Sequence, residues 1–124
     1  MMQIVVTTAV EAIHYYPGAP DEVAFLRHPH RHMFHVKAYI EVFHEDREIE
    51  FIIVKRDLDK MLEQLVVEVE NHSCEMIAST VQGYLKGRWK LKPGGYGSTP
   101  YRKIDVEVFE DGENGVRLTD SLGG

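Results

Sequence analysis

The chain has 124 residues, 44% of them hydrophobic and 27% charged, which suits a single domain spanning 1–124 with a modest core. A net charge of −6 with histidine neutral argues against a nucleic-acid-binding surface, and one cysteine, Cys74, leaves no partner for an intrachain disulfide. No run of about 18 apolar residues offers a membrane span; the opening Met1–Val6 lacks the basic region and long apolar run of a secretory signal, and a reducing, cytoplasmic setting is the expectation.

Residues 3–14 read as a strand. Ile4, Val6, Val10, Ala12 and His14 share one parity and Val5, Ala9 and Ile13 the other, so both faces are mostly apolar and the strand is expected to be covered on both sides. Pro17-Gly18-Ala19-Pro20 breaks it, and residues 21–31 read as loop. A second strand is expected over 32–44, with Phe34, Val36, Ala38, Ile40 and Val42 on the parity of His32. Glu45-Asp46-Arg47 reads as a turn, and Ile49, Phe51 and Ile53 suggest a short extended continuation.

Two helices follow. Leu58, Met61, Leu62, Leu65 and Val69 have helical spacing, as do Met76, Ile77, Thr80, Val81, Tyr84 and Leu85. Ser73 or Asn71 would cap the second helix and Gly87 would end it. Residues 88–100, rich in glycine, read as loop, and 102–110 as a strand in which Ile104, Val106 and Val108 alternate with charged or aromatic residues. Asp111-Gly112-Glu113-Asn114-Gly115 is a hairpin signal leading to a short last strand at Val116-Arg117-Leu118, and the tail from Asp120 should fray. The order β-β-α-α-β-β implies an α+β fold: a four-stranded antiparallel sheet with two helices on one face. Four strands leave two edges, which subunits could join to close a multi-chain barrel.

Seven histidines stand in this chain, and three share a pattern. His30 and His32 are two apart on extended backbone and so point the same way, and His14 ends the neighbouring strand. Three neutral imidazoles with one position open are what a catalytic zinc needs; surface histidines in a His-rich loop are the plain alternative. His35 should face the opposite side, His28 has an uncertain direction beside Pro29, and His44 sits at a charged turn.

Four segments, in order along nearly the whole chain, resemble the tunnelling-fold pterin enzymes, the group of 6-pyruvoyltetrahydropterin and 6-carboxytetrahydropterin synthases. Glu11-Ala12-Ile13-His14 resembles that family's first zinc-ligand segment, and His30-Arg31-His32-Met33-Phe34-His35-Val36 its His-Gly-His segment, with Arg31 in place of glycine. Ser73-Cys74-Glu75-Met76-Ile77-Ala78 resembles the Thr-Ser-Glu-x-Leu-Ala start of its second helix, and Val106-Glu107-Val108-Phe109-Glu110-Asp111 its strand ending in Glu-Thr. The resemblance implies zinc on His14, His30 and His32, and a homo-oligomer built on trimers and extending to a hexamer. It implies that Glu110 anchors the substrate, one carboxylate accepting two hydrogen bonds from the N–H edge of a 2-amino-4-oxo pterin ring. Ser73 and Cys74 fall where the family also touches the pterin, although a helix start explains them equally well. The implied activity is that of a lyase or synthase on a dihydroneopterin triphosphate-type substrate, on a route to 7-deazaguanines such as queuosine or to reduced pterins.

The match departs where proton transfer is concerned. The family cysteine that precedes the His-x-His pair is missing from Val23-Ala24-Phe25-Leu26-Arg27-His28-Pro29. Some relatives use a glutamate there; Glu22, eight positions before His30, is the one candidate in this loop. The family's Asp-His pair after the first helix is absent too, with His72 a possible substitute that also reads as a residue flanking a helix cap. A general base contributes about 10²–10⁴-fold in rate, so its loss leaves open a second reading: a non-catalytic pterin- or purine-binding relative that keeps the metal site. A third reading is an oligomer whose histidines have no such role.

Overall fold

The computed structural model describes residues 1–68, 72–91 and 101–121, the side chains of His14 and of 66–68 excepted. Strands β1 (Met2–His14) and β2 (His30–Val42) pair antiparallel along their whole length, from Met2 opposite Val42 to His14 opposite His30. Strand β3 (Ile104–Glu110) pairs with β2, with Phe34 opposite Glu110. Strand β4 (Asn114–Leu118) closes a hairpin with β3, giving the antiparallel order β1-β2-β3-β4.

Helices α1 (Phe51–Glu68) and α2 (Cys74–Arg88) cover one face of this sheet, α1 over β1 and α2 over β3 and β4. Strand parity supplies the covered face. Val6 and Ala12 of β1, Phe34, Val36, Ala38 and Ile40 of β2, and Ile104, Val106 and Val108 of β3 are all buried. Val54, Leu58 and Leu62 of α1, and Ile77, Val81 and Leu85 of α2, meet them at spacings of about one helical turn. Burying a side chain of this size contributes about 1.5–3 kcal/mol, so the alternating stripe is the main source of the fold's stability.

Several sequence expectations need correcting. Ile49, Phe51 and Ile53 do not extend the sheet: Phe51 opens α1, where the Glu50 carbonyl accepts from Val54 N at 3.3 Å and the Glu50 carboxylate from Ile52 N at 3.5 Å. The short i, i+2 pattern is outweighed by the longer helical stripe Val54, Leu58, Leu62, which leaves Phe51, Ile52 and Ile53 exposed. Within 21–31, Asp21–Arg27 forms a 3-10 segment kinked at Val23, and β2 begins at His30. Arg27 holds that segment by donating to the Ala19 carbonyl at 2.7 Å and pairing with Asp21. Strand β1 is covered on one side within this chain, since Val5 is 49% and Ile13 52% exposed.

Helix α2 takes Ser73 as its N-cap, the hydroxyl accepting from Met76 N at 3.1 Å, and runs through Gly87 to Arg88. At the far end of the sheet, Arg102 and Glu48 form a buried ion pair of 2.7 Å, and Arg102 also donates to the Glu41 carbonyl. The turn between β3 and β4 places Asp111 (φ 54°) and Gly112 (φ 72°) in left-handed backbone, with Glu113 N donating to the Glu110 carbonyl. Val69, 92–100 and 122–124, to which a helix end, a loop and a frayed tail were assigned, lie outside the described residues. Among the described residues no helix is long and apolar enough to cross a membrane.

Candidate functional site

The covered face of the sheet changes character at one end. Along β2 the buried stripe runs from Ile40 to Phe34 and then meets His32 and His30; along β3 it runs from Ile104 to Val108 and then meets Glu110. The α2 N-terminus stands over this polar end. Together they bound a pocket of about 590 Å³, lined by His30, His72, Ser73, Cys74 and Glu110, with Tyr15, Tyr16 and Met76 adding apolar surface. Residues from four separate segments are thus gathered by the alternation of the strands and by the capped helix start. Gly115 of β4 also lines the pocket, and a Cβ there would fall 2.0 Å from the Val108 carbonyl oxygen, so glycine allows the close approach of β4 to β3.

His30 and His32 of β2 are in contact, their ring centroids 4.6 Å apart and their planes at 85°. His30 Nδ1 lies 2.7 Å from the His28 carbonyl oxygen, and His32 Nδ1 lies 2.6 Å from an Asp111 carboxylate oxygen. A carbonyl and an ionised carboxylate only accept, so each Nδ1 donates. In the neutral ring that leaves Nε2 with the lone pair, and Nε2 of both residues is withdrawn from solvent. Imidazoles that ligate metals carry such a partner on their other nitrogen. His14 pairs with His30 across the β1–β2 ladder, but its side chain lies outside the described residues. Among the described residues no three His, Cys, Asp or Glu side chains form a group able to hold one ion. The donor chemistry of His30 and His32 fits zinc; the third ligand expected, His14, is the part not described.

Glu110 and Cys74 act as a pair. Burial pushes the Cys74 thiol up to about 12, reinforced by the negative charges of Glu110 and Glu75 and by the hydrogen bond the thiol donates to Glu110. Cys74 is therefore a neutral donor that braces the carboxylate. Glu110 also lies 3.8 Å from His32 Nε2, so the expected anchor and an expected metal ligand are neighbours.

The expected proton carriers separate. His72 lines the pocket, half-buried beside the cap of α2. Glu22 is exposed on the 3-10 segment and is not among the residues lining the pocket. His35 is exposed and His44 is exposed at its turn, as their positions suggested. Asp111 reads from the sequence only as a turn residue, yet the structure gives it a place at the site. Its carboxylate accepts from Met33 N at 2.9 Å as well as from His32, and those two bonds, the backbone one first, hold its carboxyl below the usual carboxylate range. The register was the available signal: Asp111 follows Glu110 directly and comes opposite Met33, next to His32.

No protein-family model matches the chain, and no curated protein matches it in a sequence search.

Proposed function

We propose that the protein is a zinc-dependent, pterin-binding enzyme of the tunnelling-fold type, similar to 6-carboxytetrahydropterin synthase and acting as a lyase or synthase on a dihydroneopterin-type substrate. The observation that carries this reading is the meeting of Glu110, Ser73, Cys74 and His30 in one pocket, although 80 positions separate the first β2 ligand from the anchor. Glu110 offers two carboxylate oxygens to the N–H edge of the heterocycle, with the Cys74 thiol donating a hydrogen bond to it. Tyr15, Tyr16 and Met76 supply apolar surface for a flat ring. His14, His30 and His32 would hold zinc, which would polarise the oxygens of the substrate side chain and acidify the neighbouring C–H bonds. His72 is the pocket residue able to accept and return a proton there.

In this reading the protein is a cytoplasmic homo-oligomer. Strands β1 and β4 are the sheet's edges, and the uncovered face keeps Val5, Ile13 and Met33 exposed. Subunits that pair edges on a trimer-based plan, extending to a hexamer, would cover both.

A second reading, a non-catalytic pterin- or purine-binding protein, is favoured by one observation: Glu22, the loop carboxylate in the neighbourhood of the missing cysteine, does not line the pocket. Calorimetry with neopterin and chromatography of products from dihydroneopterin triphosphate separate the two. Binding with turnover supports the enzyme, binding without turnover the second reading, and no binding defeats both. Glu110→Gln should weaken neopterin binding about tenfold or more with zinc retained, because an amide offers one acceptor where the carboxylate offers two. Unchanged affinity would remove Glu110 as the anchor.

A further inference from the structure

The proposed metal site has a partner outside its ligand set. We propose that Asp111 is a positioning residue that fixes the tautomer and ring pose of His32, so that Nε2 is the atom presented to a divalent cation. The inference rests on the zinc reading above and adds to it a carboxylate that neither the histidine spacing nor the pocket lining assigns.

Three short contacts tie Asp111 to β2. Its backbone N–H donates to the Met33 carbonyl at 2.7 Å, one carboxylate oxygen accepts from Met33 N at 2.9 Å, and the other meets His32 Nδ1 at 2.6 Å. The carboxylate is therefore oriented by the strand before it reaches the ring. The left-handed turn makes this possible: at φ 54° the chain leaves β3 and swings Asp111 back beside Met33. Both oxygens are engaged, so the group cannot rotate away from His32 without giving up the Met33 bond. A carboxylate bound to Nδ1 selects the Nδ1–H form of the neutral ring, and it also strengthens Nε2 as an electron-pair donor. His30 has its own fixing partner in the His28 carbonyl, so the two rings are held by independent means.

Asp111→Asn is the discriminating variant. Asparagine tolerates left-handed backbone, and its carbonyl oxygen can still accept from Met33 N. Its NH₂ would then face His32 Nδ1, a donor where an acceptor stood, and would favour the tautomer with the proton on Nε2. Asp111→Gly keeps the turn and deletes the side chain.

The experiment has two arms on the full chain. Long-range ¹H–¹⁵N spectra of the metal-free protein read which His32 nitrogen carries the proton. The inference expects Nδ1–H in the wild type and a shift towards Nε2–H in D111N. The proton on Nε2 in the wild type, or an unchanged tautomer in D111N, would overturn it. Titration with zinc alone, against a competing chelator, should show D111N and Asp111→Gly binding about 10–100-fold more weakly than wild type. Wild-type affinity in both variants overturns the Asp111 role and leaves the zinc reading standing. A wild type that binds no zinc, whatever its tautomer, overturns the zinc reading and the metal-directed role together.

Discussion

Cys74 illustrates how position and environment divide the work at a single residue. By sequence it is the chain's lone thiol at a helix start, within a segment that resembles a pterin-contacting one. By environment it is a buried neutral donor to Glu110, with burial the largest cause of its raised value. A thiol near 12 is thiolate roughly one part in ten thousand at pH 8, so Cys74 is a poor nucleophile in the folded chain. Iodoacetamide should therefore alkylate the folded protein about a thousandfold more slowly than the urea-unfolded chain at pH 8, read by mass spectrometry. Comparable rates in the two states would contradict the buried, protonated thiol. The linkage has a definite sign. With its folded value raised from 9.0 to about 12, the thiol's stabilising contribution is complete below 9.0 and disappears as the pH climbs towards 12.

The joint between β2 and α1 is where an element-level prediction can be made. Burial alone would raise the Glu48 carboxyl, but the Phe43 N–H, the Arg102 guanidinium and the His44 N–H together hold it below its ordinary 4.5. Its folded value being depressed, Glu48 stabilises the fold above 4.5, and that contribution is lost as the pH falls through the folded value. Arg102→Met should cost about 3 kcal/mol at pH 7, because it leaves a buried carboxylate without its cation. The cost should shrink in urea unfolding at an acid pH below the depressed folded value, where the carboxyl is protonated. A cost that is the same at both pH values would contradict this account of the joint.

The same joint marks what could be read from the residues. The alternating runs of β2 and β3 and the stripes of both helices were legible because burial on one face imposes a period, and so was the Asp-Gly turn, whereas β1, apolar on both parities, gave no sign of which face is covered. Ile49, Phe51 and Ile53 misled because three residues at spacing two fit a strand, while the helix that claims Phe51 and Ile53 depends on Val54, Leu58 and Leu62 further on, and Ile49 is buried just before it. Start points of strands were off by one or two residues, since the ladder between Met2 and Val42 is fixed by pairing rather than by either sequence alone. At the site, Ser73, Cys74 and Glu110 were singled out by the resemblance alone; strand parity and the Ser73 cap are what bring them to one pocket with His30 in the fold. Asp111 was not singled out, because its role arises from the pairing register of two strands far apart in sequence and from a left-handed turn.

At the scale of the whole molecule, the sheet serves two purposes at once. Its covered face forms a core that ends in a polar pocket, and its other face and two edges remain for contacts between copies in the proposed assembly. Both purposes converge on the first rungs of β2, where His30 stands opposite His14 and His32 opposite Ala12. The metal content of tag-free protein, measured for the wild type and for His30→Ala, His32→Ala and His44→Ala, tests that convergence most directly. The account predicts zinc at stoichiometric occupancy in the wild type and in His44→Ala, and loss of most of it in the other two. Equal zinc in all four proteins, or none in the wild type, would contradict it.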